Sequence, residues 1–143
     1  CRALWSLSVA QEIKTIIVDE LGIEALLRAM EIHRNVSIVQ ERACATMSNL
    51  ASKNPVNCSK LVRAGCVDSI KVAMETHPFS ANVQEKASLA LHKIIEHGSS
   101  QNKDVVAAMR RADLYQVLES ASLTYPDVCA ERCQYVIERI YTL

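Results

Sequence analysis

The string Val39-Gln40-Glu41-Arg42-Ala43 returns as Val83-Gln84-Glu85-Lys86-Ala87, a displacement of 44 residues. Ala29-Met30-Glu31-Ile32-His33 returns at the same displacement as Ala73-Met74-Glu75-Thr76-His77, and Thr46-Met47-Ser48-Asn49-Leu50-Ala51 aligns with Ala90-Leu91-His92-Lys93-Ile94-Ile95. A partial earlier copy is Ala3-Leu4-Trp5-Ser6-Leu7-Ser8, and a degenerate last one is Val136-Ile137-Glu138-Arg139-Ile140, offset by about 46. Gly22 and Gly65 stand 43 apart. Self-similarity at such a period means that each unit cannot bury its apolar face alone, so copies stack and share a core. We expect one repeat array over residues 1–143, with approximate units at 1–9 (the last helix of a preceding repeat), 10–52, 53–97 and 98–143. The chain opens at Cys1 inside an apparent helix, which reads as a piece of a longer array whose end helices are open to end-to-end contacts. An obligate oligomer is not expected.

Half of the residues are hydrophobic but only 4% are aromatic, so Leu, Ile, Val and Ala must fill the core. That favours close helix packing over a sheet. Sixteen basic residues balance sixteen acidic ones, which removes any general attraction to nucleic acid or anionic lipid. No stretch approaches the ~20 apolar residues of a membrane span, and no signal peptide is visible. The six cysteines lack a disulfide framework. Cys44 sits among small residues and is expected to be a core hydrophobe in a reducing compartment. Cys129 and Cys133 lie one helical turn apart, but without neighbouring ligands packing is favoured over metal.

Within one unit, Val39, Ala43, Met47 and Leu50 recur at amphipathic-helix spacing. Ser37 and Gln40 have the form of a capping box, and Asn54-Pro55 ends the helix. A shorter helix is expected over Asn57–Ala64, with Leu61 and Val62 inward and Gly65 ending it in a left-handed conformation. A third runs from about Val67 to Thr76, with Val67, Ile70 and Met74 on one face. Each unit thus reads as short, medium and long helices.

That order and its residues resemble the armadillo repeat. Leu61-Val62-Arg63-Ala64-Gly65 is similar to the family's hydrophobic pair and Ala-Gly before the second helix. Ala43-Cys44-Ala45-Thr46-Met47-Ser48-Asn49-Leu50-Ala51 is similar to its third-helix Ala-x-x-x-Leu-x-Asn-Leu-Ala, with methionine for leucine. Asn54-Pro55-Val56-Asn57 resembles the connection to the next unit. HEAT repeats are the structural runner-up, and the punctuation at Gly65 favours armadillo. The resemblance implies an all-α, right-handed solenoid of three-helix repeats whose third helices line a concave groove. The period of 44 exceeds the family's usual length of about 42. The Trp-x-x-x-Asn pairs of the nuclear-import adaptors also fail here: the matching pairs are Arg2/Ser6, Ala45/Asn49, Leu89/Lys93 and Tyr135/Arg139. Only Asn49 survives, so recognition of a nuclear-import signal is not expected, and Trp5 is read as core.

The candidate groove residues follow from third-helix positions one turn apart. They are Glu41, Ala45, Asn49 and Lys53, then Glu85, Leu89, Lys93 and His97, then Tyr135 and Arg139. Amide, ammonium and guanidinium groups at successive steps suit a partner's carbonyls or carboxylates, with Leu89 and Tyr135 as apolar anchors. The competing reading is a solvated polar face, with Glu41 and Glu85 only favouring helix N-termini. His33 and His77 share a slot at the end of the second helix, where a donor opposes the helix dipole. His92, Glu96 and His97 cluster on the third helix, but the two histidines, five apart, are read as split across faces, so no zinc site is expected.

No phosphate-cradling loop, nucleophile elbow or carboxylate pair appears, so the chain is not read as an enzyme and no cofactor is expected. Arg110-Arg111 reads as a solvated helix end. These features predict a cytoplasmic protein (the nucleus is also compatible) that binds a partner peptide or helix along the groove. An architectural spacer in a larger protein is the alternative. RNA binding through helical repeats fits the neutral charge least.

Overall fold

The apolar spacing and sparse turn residues produce helices throughout. The computed structural model describes residues 22–98 and 103–142; Trp5, the Arg2/Ser6 pair and the partial unit 1–9 lie outside the described residues. In order, the helices are α1 (Gly22–Ile32), α2 (Ser37–Ala51), α3 (Pro55–Ala64), α4 (Cys66–Thr76), α5 (Ala81–Gly98), α6 (Lys103–Arg111), α7 (Tyr115–Thr124) and α8 (Pro126–Tyr141). Among the described residues there is no strand.

Corresponding helices of successive copies pack on one another. The long helices α2, α5 and α8 form one layer with α5 in the middle; α1, α4 and α7 form a second, and α3 packs on α6. Between them runs one continuous core, in which Leu50, Leu61, Ile70, Leu91, Ile94, Met109, Leu118 and Ile140 are fully buried. Each such side chain contributes about 1.5–3 kcal/mol of transfer free energy. Ala43, Met47 and Leu50 of α2 are buried as their spacing predicts, and Val39 is half-buried. Val67, Ile70 and Met74 are buried together on α4.

Local signals account for several helix ends. Asn54 Oδ1 accepts from the Asn57 amide at 3.0 Å, and Pro55 occupies the first turn of α3, where its missing N–H costs nothing. Asn57, itself buried, turns its Nδ2 back to donate to the Leu50 carbonyl at 3.0 Å, so one tetrapeptide closes α2 and opens α3. Gly65 takes φ +92° between α3 and α4, as its position predicts. The helix over 57–64 starts two residues earlier than expected, because Asn54 rather than a later residue supplies the cap.

The expected capping box at Ser37 and Gln40 does not form. Val36 precedes α2 with no side-chain cap. The Gln40 amide instead reaches sideways, donating to the carbonyls of Met30 at 3.0 Å and His33 at 2.9 Å. Gln84 does the same to Met74 and His77, again at 3.0 and 2.9 Å. Each glutamine is buried and supplies donors to the end of the preceding helix, where carbonyls have no intrahelical partner. The need is sharpest at Met74: its helical donor would be residue 78, a proline without an N–H. The repeated glutamine is thus a clamp between the second and third helices of a unit.

The third copy closes differently. Ala130 stands where the clamp would be, and the connection shrinks from four residues to Tyr125 alone. Tyr125 Oη donates to the Pro78 carbonyl at 3.4 Å, and His77 Nε2 lies 2.7 Å from the Arg34 carbonyl. The slot shared by His33 and His77 therefore links one connection to the preceding one, and His77 reaches a neighbouring unit's carbonyl instead of its own helix end. Arg110, expected as a solvated helix end, donates from Nε to the Ile140 carbonyl at 2.6 Å and ties α6 to the end of α8.

Cys44, Cys58, Cys66, Cys129 and Cys133 are all buried free thiols. Burial pushes Cys44, Cys58 and Cys133 up to about 12. Ser88 Oγ lies 3.7 Å from Cys129 Sγ, joining α5 to α8. These are core positions.

Candidate functional site

The layered long helices bring matched positions of α2, α5 and α8 onto adjacent rows. Glu41 and Asn49 on α2 are half-buried, but Ala45 is 6% exposed. Ala45 therefore belongs to the core rather than to an open face. Lys53 leaves the stripe altogether: α2 ends at Ala51, and Lys53 has φ +56° in the turn before Asn54. The proline at 55 explains the early stop, whereas in sequence the matched position of the next copy is serine, and α5 continues to Gly98. Lys53 and His97 are thus equivalent in sequence and not in structure.

On α5, Glu85, Leu89, Lys93 and His97 are all half-buried. Lys86 Nζ lies 3.8 Å from Glu85 Oε1. On α8, Tyr135 is half-buried and Arg139 exposed, with the Arg139 guanidinium 5.0 Å from the centre of the Tyr135 ring. The Tyr135 ring also meets the His92 ring of α5, tilted at 52° with centroids 4.6 Å apart.

The most connected part of this face is the cluster of His92, Glu96 and His97, whose joint contact the sequence reading missed by splitting the histidines across faces. Glu96 Oε2 accepts from Lys93 Nζ at 3.2 Å and lies 3.6 Å from His92 Nδ1 and 3.3 Å from His97 Nε2. Neither imidazole nitrogen makes a hydrogen bond there, although both are shielded from solvent. The two histidines expected on separate faces therefore converge on one carboxylate, because Glu96 stands between their positions along the helix. Partial burial alone pushes the Glu96 carboxyl up; the Lys93 hydrogen bond and the charges of Lys93, His92 and His97 outweigh it and hold the group below its ordinary value. Burial holds His92 below the usual histidine value against the pull of Glu96, aided by the charges of Lys93, Arg132 and His97. Among the described residues no three His, Cys, Asp or Glu side chains are grouped to hold a metal ion.

Arg132 was also missed. It occupies the α8 position matched to Lys86 and Arg42, and its charge acts on His92. Its i, i+3 and i+7 spacing to Tyr135 and Arg139 places all three on one face of α8. Glu131 likewise continues the row of Glu41 and Glu85. Only alignment of the last copy at its altered spacing would have found these two. Elsewhere, exposed apolar residues collect at the connections between second and third helices: Ile32, Val36, Ile38, Phe79, Leu123 and Val128.

No helix among the described residues is long and apolar enough to cross a membrane. No family model matches the chain, and no curated protein matches it. Its fold is similar to the crystal structure of an engineered protein solved by the Northeast Structural Genomics Consortium, with a TM-score of 0.79 at 24% identity. That match covers 98% of this chain and 54% of the engineered one, so the chain spans about half the length of its neighbour, and the likeness is one of fold.

Proposed function

We propose that the chain is part of an armadillo-type, right-handed solenoid that acts as a non-catalytic protein-interaction scaffold. A partner peptide or helix would lie along the face of the long helices. The observation that carries this reading is the contrast between matched positions on α2, α5 and α8. Inward positions repeat their chemistry: Ala43, Ala87 and Cys133 are all small and fully buried. Outward ones diverge: Asn49, Lys93 and Arg139 present an amide, an ammonium and a guanidinium at successive steps. Stacked repeats use such faces for extended binding surfaces. The likeness in fold to the engineered structure supports the helical array and says nothing of the partner.

The test compares the partners captured by the wild-type chain with those captured by the Asn49→Ala/Lys93→Glu double variant. Loss of the specific partners is expected. Retention of every one would refute the face assignment.

The second reading, a spacer within a larger protein, is favoured by one observation. Several side chains on the face are engaged internally, Lys93 and His97 with Glu96 and Tyr135 with His92 and Arg139. Under that reading the double variant is silent, while deletion of one 44-residue unit from the parent protein disturbs its activity. An intracellular, cytoplasmic setting accords with five buried reduced thiols.

A further inference from the structure

The junction of α5 and α8 carries a local charge imbalance in a chain that is neutral as a whole. Arg139 on α8 lies over Tyr135, and the charges of Lys93 on α5 and Arg132 on α8 act on His92, the ring tilted against Tyr135. Of these cations, Lys93 is bound by a carboxylate, that of Glu96. Among the described residues neither arginine is paired with a carboxylate: Arg132 Nη1 donates to the Val128 carbonyl of its own helix at 3.0 Å, and Arg139 lies over Tyr135. Two guanidinium groups therefore stand beside an aromatic floor with donor capacity to spare. The Lys93–Glu96 pair is an exposed i, i+3 contact, which is weak and readily exchanged.

We propose that this junction is a subsite for an acidic side chain of a protein partner, held by Lys93, Arg132 and Arg139, with Glu96 as the internal carboxylate that the partner displaces. The proposal rests on the face assignment made above and adds the chemistry of what binds there. Charge complementarity selects the occupant. A planar guanidinium pair and an ammonium match a carboxylate in geometry and sign. A nucleic acid fits less well, because it needs a run of cations along its backbone. Here Glu41, Glu85 and Glu131 form a parallel acidic row, and eight residues of helix set Glu85 about 12 Å from Lys93. Such a row repels a polyanion and tolerates a short acidic peptide that crosses the two helices at Lys93 and Arg139 and reaches back toward Arg132.

The test is fluorescence anisotropy at low ionic strength with three labelled octapeptides, of glutamate, glutamine and lysine, and an eight-nucleotide uridine RNA. The glutamate peptide should bind, the glutamine and lysine peptides at least tenfold more weakly. Lys93→Gln with Arg139→Gln should weaken the glutamate peptide at least tenfold, with the helical circular dichroism unchanged. Glu96→Gln should tighten it about threefold or more by removing the internal competitor, a gain that misfolding cannot produce. Equal binding of the glutamine peptide, equal or tighter binding of the RNA, or no effect of either substitution overturns the proposal. The two readings fail separately. If partners are lost from the Asn49→Ala/Lys93→Glu variant yet the glutamate peptide does not bind, the face stands and the acidic subsite falls. If that variant keeps every partner, the face assignment falls and takes the subsite with it.

Discussion

Replacing Gln84 by methionine removes two hydrogen-bond donors while keeping an unbranched side chain of similar length in the site. The two carbonyls it leaves are not equivalent. His77 O also accepts from the Ser80 amide at 3.2 Å, so it loses one of two donors, a net effect of about 1 kcal/mol. Met74 O is buried, and the residue four positions on is Pro78, which has no N–H to offer. Stranding it costs about 1–3 kcal/mol. The expected loss is therefore about 2–4 kcal/mol. Gln40→Met tests the reasoning from the other copy. His33 O likewise keeps a donor, the Val36 amide at 3.0 Å. Residue 34 is arginine, however, whose amide is free to turn toward Met30 O once the glutamine is gone. Gln40→Met should then cost less, by about 1 kcal/mol, the worth of one recovered hydrogen bond. Urea unfolding followed by far-ultraviolet circular dichroism measures both, with the slope m unchanged if only the folded state is affected. A loss below about 0.5 kcal/mol for Gln84→Met, or a larger loss for Gln40→Met, would show that the clamp does not stabilise the helix ends as argued.

Two glycine substitutions should separate steric from conformational cost. A Cβ at Gly98 would lie 2.9 Å from Cys58 Cβ and 3.1 Å from Val105 Cγ2, so Gly98→Ala overpacks the α3–α5–α6 contact and should cost about 1–3 kcal/mol. At Gly65 a Cβ meets nothing, and Gly65→Ala should cost only the about 1–2 kcal/mol of a left-handed backbone; urea midpoints will rank the pair. The buried thiols predict an alkaline limit. Cys44, Cys58 and Cys133 keep their protons to about 12 when folded, while the unfolded chain releases them near the ordinary thiol value of 9.0. Stability is thus fully present below about pH 8.5 and falls by about 1.4 kcal/mol per pH unit per thiol above it. Urea midpoints should drop between pH 8 and pH 10, more gently in Cys44→Ala, and a flat profile would refute the linkage.

The period of 44 made the helices legible because every inward position recurs, and Gly65 could be placed because only its conformation fits there. The role of Gln40 was hidden. A serine three residues before it satisfied a local pattern, while the true acceptors lie seven and ten residues back, across a turn whose path no local rule fixes. Counting one turn at a time put Lys53 on the face, yet Pro55 unwinds the chain before that count completes. Ala45 failed differently: its helix forms as predicted, but its methyl group is buried and has no surface to show. The Glu96 cluster lies wholly on α5, where Lys93, His92 and His97 meet the carboxylate from three, four and one residues away, whereas Tyr135 reaches His92 only through the packing of α8 on α5. Pattern gave the helices; the junctions came from tertiary contact.

The placement of the clamp has a consequence for editing the array. Gln84 and the carbonyls it holds lie within one stretch, from Asn54 to His97, and the cap at Asn54 opens that same stretch. A second copy spliced in after His97 would arrive with its own clamp and its own opening cap, and would present a histidine to the connection before it as His77 does to Arg34. A cut between Met74 and Gln84 would separate donor from acceptors in both products. The last copy is not interchangeable with its neighbours, since Ala130 brings no donor and Tyr125 alone must turn the chain. The array can be lengthened from its middle, in whole units, and the joint at Tyr125 has to stay where it is.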